Sequence, residues 1–413
     1  MSDHLESLYK AAFNFPAIDN HAHPLLKGSH RFRIPFEGLV SEADGEALTD
    51  AVHTLACQHA TPQLATVLQL DMNASSWDDV KVARDQIEYN VLCDMFMKPC
   101  NIQSILLDDG LGGVAEWAED LKWHRRFGCD TKRVVRIEAE AESIMKTIFC
   151  NIDVTSPDAS SLSLAFFDQF RAAITTLCED AEVVGLKSIA CYRTGLAIAS
   201  PAAVISDAKV QEGILHALVA YSQTNKIRLA HKELNDRMVH VSLEIAGRYG
   251  IPVQFHTGLG DNDISLRHSS PSYMQPIIKE YPNTPFVLLH SSYPYTKEAG
   301  YLTAVYKNVY CDFGEIFPFV SGPGQRSIVR EILDLCPTNK IMWSTDGHWW
   351  PESYYLGTIQ ARQAIYDVLS DIVKTGELSE PQAVAITENA LFHNANRLYK
   401  LGLVPRLGRM QAA

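Results

Sequence analysis

From about residue 100 onward, short apolar runs alternate with longer stretches whose apolar positions recur every three or four residues. Runs of the first kind suit buried strands, and stretches of the second kind suit amphipathic helices. Seven runs are predicted as strands: IQSILLDD (102–109), RVVRIEAE (133–140), VVGLKSIACY (183–192), PVQFHTG (252–258), PFVLLHSS (285–292), VYCDFGE (309–315) and KIMWSTDG (340–347). An eighth, AIDNHAH (17–23), lies well ahead of them. Helical spacing marks SWDDVKVARDQIEYNVLCDMF, SLSLAFFDQFRAAITTLCEDA, LNDRMVHVSLEIAGRYG, YMQPIIKEY, TKEAGYLTAVYKN and QRSIVREILDLC. Several of these begin near Ser, Asp or Thr and end near Gly, as helix caps require.

Eight strands with intervening helices predict an α/β fold of the TIM type, a (β/α)8 barrel. No repeat or low-complexity linker divides the chain, so residues 1–413 are expected to form a single barrel domain. A long insertion follows the first strand, from Pro24 to about Asn73, with helical stretches in SEADGEALTDAVHTLACQHA and TPQLATVLQL. Together with the next amphipathic segment it makes a helical cap over about residues 24–100, placed to shape a substrate pocket at the barrel mouth. PQAVAITENALFHNANRLYKL reads as the last barrel helix, and residues 405–413 as a frayed end.

Composition narrows the partners. The chain is 46% hydrophobic and 21% charged, an ordinary globular balance, and no apolar stretch is long enough to cross a bilayer. The start, MSDHLESLYKAAF, is acidic and amphipathic, which suits a surface helix rather than a signal peptide. Nine cysteines without a CxxC pair fit reduced thiols, and a cytoplasmic protein is expected. A net charge of -13 and the lack of a glycine-rich phosphate cradle argue against nucleic acid and nucleotide. A small molecule is the expected partner, and exposed outer helices would suit a homo-oligomer.

The chemistry gathers at strand ends. Side chains at the carboxyl ends of barrel strands converge on one face, however far apart they lie in sequence. His21 and His23 alternate at the end of strand one; Lys187 lies on strand four, His256 and His290 end strands five and six, and Asp346 ends strand eight. Any one strand-end histidine is more simply explained by packing or a hydrogen bond. Six such residues on one face suit a divalent metal, because imidazole nitrogen and carboxylate oxygen are what zinc-like ions take. Zinc is the expected ion, with manganese as the other option, and one or two ions could be held. Asp346 can both bind metal and accept a proton from attacking water. An ordinary lysine cannot bind metal, but carboxylation by CO2 would make Lys187 a bridging anion between two ions; otherwise it is a core lysine with a partner.

This set, HxH after strand one, His after strands five and six and Asp after strand eight, resembles the amidohydrolase superfamily, of the amidohydrolase-2 type. IDNHAHPLL, GLKSIACYRTGL, FHTGLGD, LLHSSYPYTKEAGYLTAVYKNVYCDFGE and MWSTDGH are closer still to the amidohydrolase-like N-terminal half of FluG-type and nodulin/glutamine-synthetase fusion proteins. The resemblance covers nearly the whole chain. It implies that His21, His23, Lys187, His256, His290 and Asp346 are metal ligands, with Asp346 and His290 in the catalytic machinery. The implied activity is attack of metal-bound hydroxide on a small carboxylate-bearing amide, a γ-glutamyl amide among the candidates. The sequence contains no glutamine-synthetase half, so ligase chemistry is not expected of it.

Other residues extend the pocket. Arg193 could hold a substrate carboxylate in a bidentate fork, or lie solvated in its loop. Glu138 on strand three and Asp108 with Asp109 after strand two could face the same mouth or cap helices. Asp261 and Asp263 suit helix capping, and His348 could touch substrate. Trp349, Trp350, Tyr354 and Tyr355 either wall the pocket or pack the last helix, Trp349 being the candidate substrate contact. Packing suffices to explain His53, His59, His216, His231 and His240. Two other functions compete: a single-metal non-oxidative decarboxylase, in which Lys187 is structural, and a non-enzymatic metabolite-binding regulator.

Overall fold

A computed structural model describes residues 5–111, 114–150, 152–200 and 205–407. The frayed end expected beyond residue 407 and the first four residues of the expected surface helix lie outside the described residues. Eight strands are present: β1 (Ala17–Ala22), β2 (Ile102–Asp108), β3 (Asp130–Arg136), β4 (Val183–Ser188), β5 (Val253–Phe255), β6 (Phe286–Leu288), β7 (Val309–Asp312) and β8 (Ile341–Met342). They form one sheet in the order β1 to β8, and helices follow the strands, so the fold class is the (β/α)8 barrel.

Most strands stop earlier than their apolar runs. RVVRIEAE is the clearest case: β3 ends at Arg136 and a helix, Ile137–Phe149, begins at the next residue. Glu138 therefore lies in a first helical turn, not on strand three. The EAEAES stretch is rich in helix-favouring residues, and Ile137, Ala141, Met145 and Phe149 bury one helical face. β4 likewise stops at Ser188, short of the Tyr192 end expected for it, and a single turn, Ala190–Arg193, follows.

The chain divides into two compact units, Met1–Lys132 with Gly260–Asn262 and Cys311–Ala413 in one, and Arg133–Leu259 with Asp263–Tyr310 in the other. In the first, β1 pairs in parallel with β2, and β7 with β8. The two-residue β8 continues as irregular backbone along β1: Asn20 N donates to Trp343 O at 3.2 Å, Asp346 N to His21 O at 3.1 Å and His23 N to Gly347 O at 2.7 Å. The insertion folds as a 3-10 segment, Gly45–His53, and helices Leu55–Val67, Trp77–Asp85 and Tyr89–Met97. Thr54 caps the first of these helices, and a Ser76–Asp79 capping box opens the second.

Leu64, Trp77, Val80, Leu92 and Phe96 of the insertion share one apolar cluster with Trp350 and Tyr354. Each such buried side chain contributes about 1.5–3 kcal/mol. Trp350 and Tyr354 belong to the entry of Pro351–Lys374, a helix of 24 residues with no counterpart among the predicted elements. The predicted last helix is broken into Glu380–Glu388, a π-helical turn Asn389–His393 and Asn394–Leu398.

In the second unit β3 pairs with β4, β4 with β5 and β5 with β6, all parallel. The helix Ala159–Glu179 shows why its sequence is helical: Leu162, Phe166, Phe170, Ile174 and Cys178 recur every four residues on its buried face. Asp158 caps it by accepting from Ser160 N at 3.0 Å and Ser161 N at 3.2 Å. No helix among the described residues is long and apolar enough to cross a membrane.

Candidate metal centre

In the first unit, strand alternation places His21 and His23 on the same side of β1, and their rings meet edge to face with centroids 5.0 Å apart. Both Nε2 atoms point at one carboxylate oxygen: Asp346 Oδ1 lies 3.3 Å from that of His21 and 3.4 Å from that of His23. His21 is fully buried, and His23 and Asp346 are 6% and 8% exposed. Ligand atoms set 2.0–2.1 Å from a tetrahedral zinc stand roughly 3.3–3.4 Å from one another, so this spacing is that of one edge pair of such a shell.

The surroundings fix which nitrogen is available. His23 Nδ1 is 2.9 Å from the carbonyl of Asp108, which can only accept, so Nδ1 carries the proton and Nε2 keeps its lone pair. The Asp108 carboxylate lies 4.0 Å from the same Nδ1, and His21, His23 and Asp108 together make a buried group of metal-ligating type. Asp346 is held with φ +51 and Trp349 with φ +57, a left-handed backbone uncommon for such residues and concentrated at functional loops. Asp19, fully buried, accepts from Thr345 N at 2.9 Å and so anchors the backbone beside Asp346. Burial pushes the Asp19 carboxyl up to about 8.

The aromatic cluster after Asp346 splits. Trp350 and Tyr354 are core residues, whereas Trp349 is half-buried and stacks on Trp117, centroids 5.5 Å apart and planes 19° apart. The exposed guanidinium of Arg33 lies over Trp117, 4.2 Å from its centroid. His348 donates from Nδ1 to the Asp346 carbonyl at 2.8 Å, and burial holds its imidazole below the usual range.

In the second unit, Lys187 is the penultimate residue of β4 and 1% exposed. The early end of β4 thus gives it the strand-end position that its sequence spacing left undecided. His256 follows β5 directly; its Nε2 is 2.7 Å from Leu259 O and 3.1 Å from Tyr192 Oη. A carbonyl partner again requires Nε2 to be the protonated nitrogen, which leaves Nδ1 as the coordinating one. The His290 ring lies against that of His256, centroids 4.2 Å apart, and is fully buried.

Glu138 accepts from Ser188 Oγ at 2.8 Å and Ile189 N at 3.1 Å, so it clamps the end of β4; burial raises its pKa. Arg193 pairs with Glu142 at 3.3 Å, and Asp263 with Arg228 at 3.2 Å.

Three residues of the first unit escaped the sequence reading. Glu42 sits in the insertion, and burial, reinforced by Asp346 and Asp261, pushes its carboxyl up to about 8. Glu315 is buried just past β7 with φ +62; its neighbour Gly314 must be glycine, since a Cβ there would fall 1.9 Å from Ser344 Oγ. His124 supports the exit of β1 by accepting from Leu25 N at 3.0 Å. Glu42 and His124 stand at no strand end in the sequence pattern; Glu315 closes the predicted strand VYCDFGE, so its position could have marked it.

Residues 226–401 match the family described as Amidohydrolase. The chain is 41% identical to Protein fluG of Emericella nidulans over 97% of its own length, and it spans about half, 47%, of that relative. Among solved structures it is similar to a Lactobacillus casei protein provisionally described as a metal-dependent hydrolase (TM-score 0.75, 24% identity, 95% of this chain and 97% of that one). It is also similar to a uronate isomerase from Bacillus halodurans (TM-score 0.62, 13% identity, 96% of each chain). At these identities the two structures speak for the fold alone.

Proposed function

From the match of residues 226–401 to the amidohydrolase family, we propose that the protein is a metal-dependent hydrolase that cleaves the C–N bond of a small carboxylate-bearing amide, the γ-glutamyl amides among them. One observation carries the reading: two imidazole Nε2 atoms reach the same Asp346 oxygen at 3.3 and 3.4 Å, with the tautomer of His23 set by the Asp108 carbonyl. Two imidazoles and a carboxylate at that spacing fit zinc, and manganese accepts the same donor types.

The donors proposed are His21, His23 and Asp346 in the first unit and Lys187, His256 and His290 in the second, each at or beyond the carboxyl end of its strand. Lys187 enters as its carbamate, formed with CO2, where two ions are held. A divalent ion bound there supplies a Lewis acid for the carbonyl and lowers the pKa of water to about 7. Asp346 takes the proton of the attacking water and delivers it to the departing amine nitrogen. His290 is assigned to the same catalytic machinery. Trp349 offers a flat wall to the substrate, and Arg33, over Trp117, offers a cation for its carboxylate, while Arg193 is engaged with Glu142.

The test is Asp346→Asn, assayed for amine and for CO2 release over a panel of γ-glutamyl amides and small unsaturated or aromatic acids. The expected result is amine release by the wild type, lowered by about 10²–10⁴ in the variant, the range of a lost general acid–base. Release of CO2 without amine would overturn the hydrolase reading. Wild-type turnover in the variant would remove Asp346 from proton transfer.

A further inference from the structure

A second group of metal-ligating side chains lies on the outer helices of the second unit. Glu212 and His216 are four apart on the helix Asp207–Thr224 and so share a face. His231 is the residue before the next helix, Lys232–Tyr249. Their donor atoms all lie within 4.8 Å of one another, and the two imidazoles stand 5.8 Å apart at 64°.

Two details indicate that this meeting is built into the fold. Gly213 makes the notch that admits His231, since a Cβ there would come within 2.8 Å of Cγ and Nδ1 of that ring. Enclosed in the notch, Nδ1 of His231 has no hydrogen-bond partner among the described residues; Glu233 Oε2 is 3.5 Å away. A buried ring nitrogen without a hydrogen-bond partner is a group whose lone pair a bound cation would satisfy directly.

We propose that Glu212, His216 and His231 form a second divalent-metal site, of the zinc class, separate from the strand-end donors. Two imidazoles and one carboxylate select zinc, nickel or copper over the oxygen-seeking calcium and magnesium, and leave an open position for water. Donors now up to 4.8 Å apart close to the roughly 3.4 Å of a tetrahedral shell by rotation of exposed side chains. The competing contact is Lys209 Nζ on Glu212 Oε2 at 3.0 Å, an exposed pair that yields at little expense.

The ion would staple the connection between the two helices. That connection carries Arg228, which donates to Tyr192 O at 3.1 Å, and Leu229, whose N donates to Glu142 Oε1 at 3.1 Å. Tyr192 in turn contacts His256. The outer site thus anchors the segment that holds a partner of a strand-end histidine.

Zinc per chain is measured on the 413-residue chain after equilibration with zinc chloride and removal of unbound ion, for the wild type, His216→Ala, Glu212→Gln and His21→Ala/His23→Ala. The wild type should hold one equivalent more than His216→Ala and Glu212→Gln, while the strand variant keeps that equivalent. Amides of residues 225–231 should exchange more slowly with zinc in the wild type and not in His216→Ala. His216 is exposed, so its variant is expected to fold, and an unchanged melting temperature without zinc checks this. Equal zinc in wild type and His216→Ala at every concentration overturns the site; equal content with slowed exchange in both overturns the staple as well.

Discussion

His21 and His23 are one pair of buried imidazoles, and His256 and His290 are another, yet the chain builds them in opposite ways. The first pair stands at the end of one strand, β1 with His21 on it and His23 one residue past it, and period-two alternation turns both rings the same way. The second pair stands outside its strands: His256 one residue past β5 and His290 two past β6, with φ +69 at His290, +53 at Ser291 and +50 at Ser292. A strand aligns two side chains through its alternation, whereas a loop must position each with local contacts. Backbone held in the left-handed region costs on the order of 1–3 kcal/mol per residue, sustained only where surrounding structure dictates it.

The strongest way to break this comparison is to remove each pair. His21→Ala/His23→Ala is expected to remove the strand-end metal by elemental analysis, leaving only the equivalent proposed for Glu212, His216 and His231, and His256→Ala/His290→Ala to do the same. Full content in the second variant would mean that the loop pair does not share the work of the strand pair, and the proposed six-donor set would shrink to its β1 side.

His124 sharpens the contrast with a histidine used for structure alone. Its Nε2 accepts from Leu25 N at 3.0 Å, two residues past His23, and its Nδ1 donates to Asp120 O at 2.8 Å. Both nitrogens are committed in the neutral ring, and burial pushes the imidazole down to about 4. The unfolded chain protonates this group near 6.5, so between about 6.5 and 4 the unfolded state binds the extra proton and the native state does not. The contribution is complete above 6.5 and declines as pH falls. At pH 5 the loss is about 2 kcal/mol, from about 1.4 kcal/mol per pH unit. Urea midpoints at pH 7 and 5 should show this loss in the wild type beyond that of His124→Gln. Equal losses would mean that His124 titrates normally.

The same contrast explains what was legible in the sequence. All eight strands showed as apolar runs, and AIDNHAH placed its two histidines on one side directly because alternation is a local rule. Lys187 stayed undecided because VVGLKSIACY is apolar through its whole length; only the turn at Ala190–Arg193 shows where β4 stops. Glu138 was misplaced because β3 passes into its helix without a Gly or Pro between them. Pro351–Lys374 was missed although a proline opens it, since the two tryptophans just before it and the tyrosines of its start also suit a pocket wall. Glu42 and His124 could not have been found from pattern, because their surroundings come from segments distant in sequence, whereas Glu315 closes the predicted strand VYCDFGE and was passed over. Local rules read elements and their faces; they do not read termini set by tertiary packing or carboxyls whose pKa depends on what the fold buries.

The smallest expected effect tests the backbone difference itself. At His290 and at His21, substitution first by Ala and then by Gly removes the ring in both cases, so comparing Ala with Gly isolates the main chain. At φ +69 a Cβ is unfavourable, and Gly should be more stable than Ala by about 1 kcal/mol. Within the extended β1, Gly should be less stable than Ala by about 0.5–1 kcal/mol, because it gains nothing sterically and loses more conformational entropy on folding. Urea midpoints of metal-free protein measure both differences without any contribution from bound ion. Opposite signs at the two positions would show that the loop histidine is held against the preference of its own backbone. A shared sign would mean that the chain after β6 relaxes once the ring is gone, and that His290 itself imposes the left-handed turn.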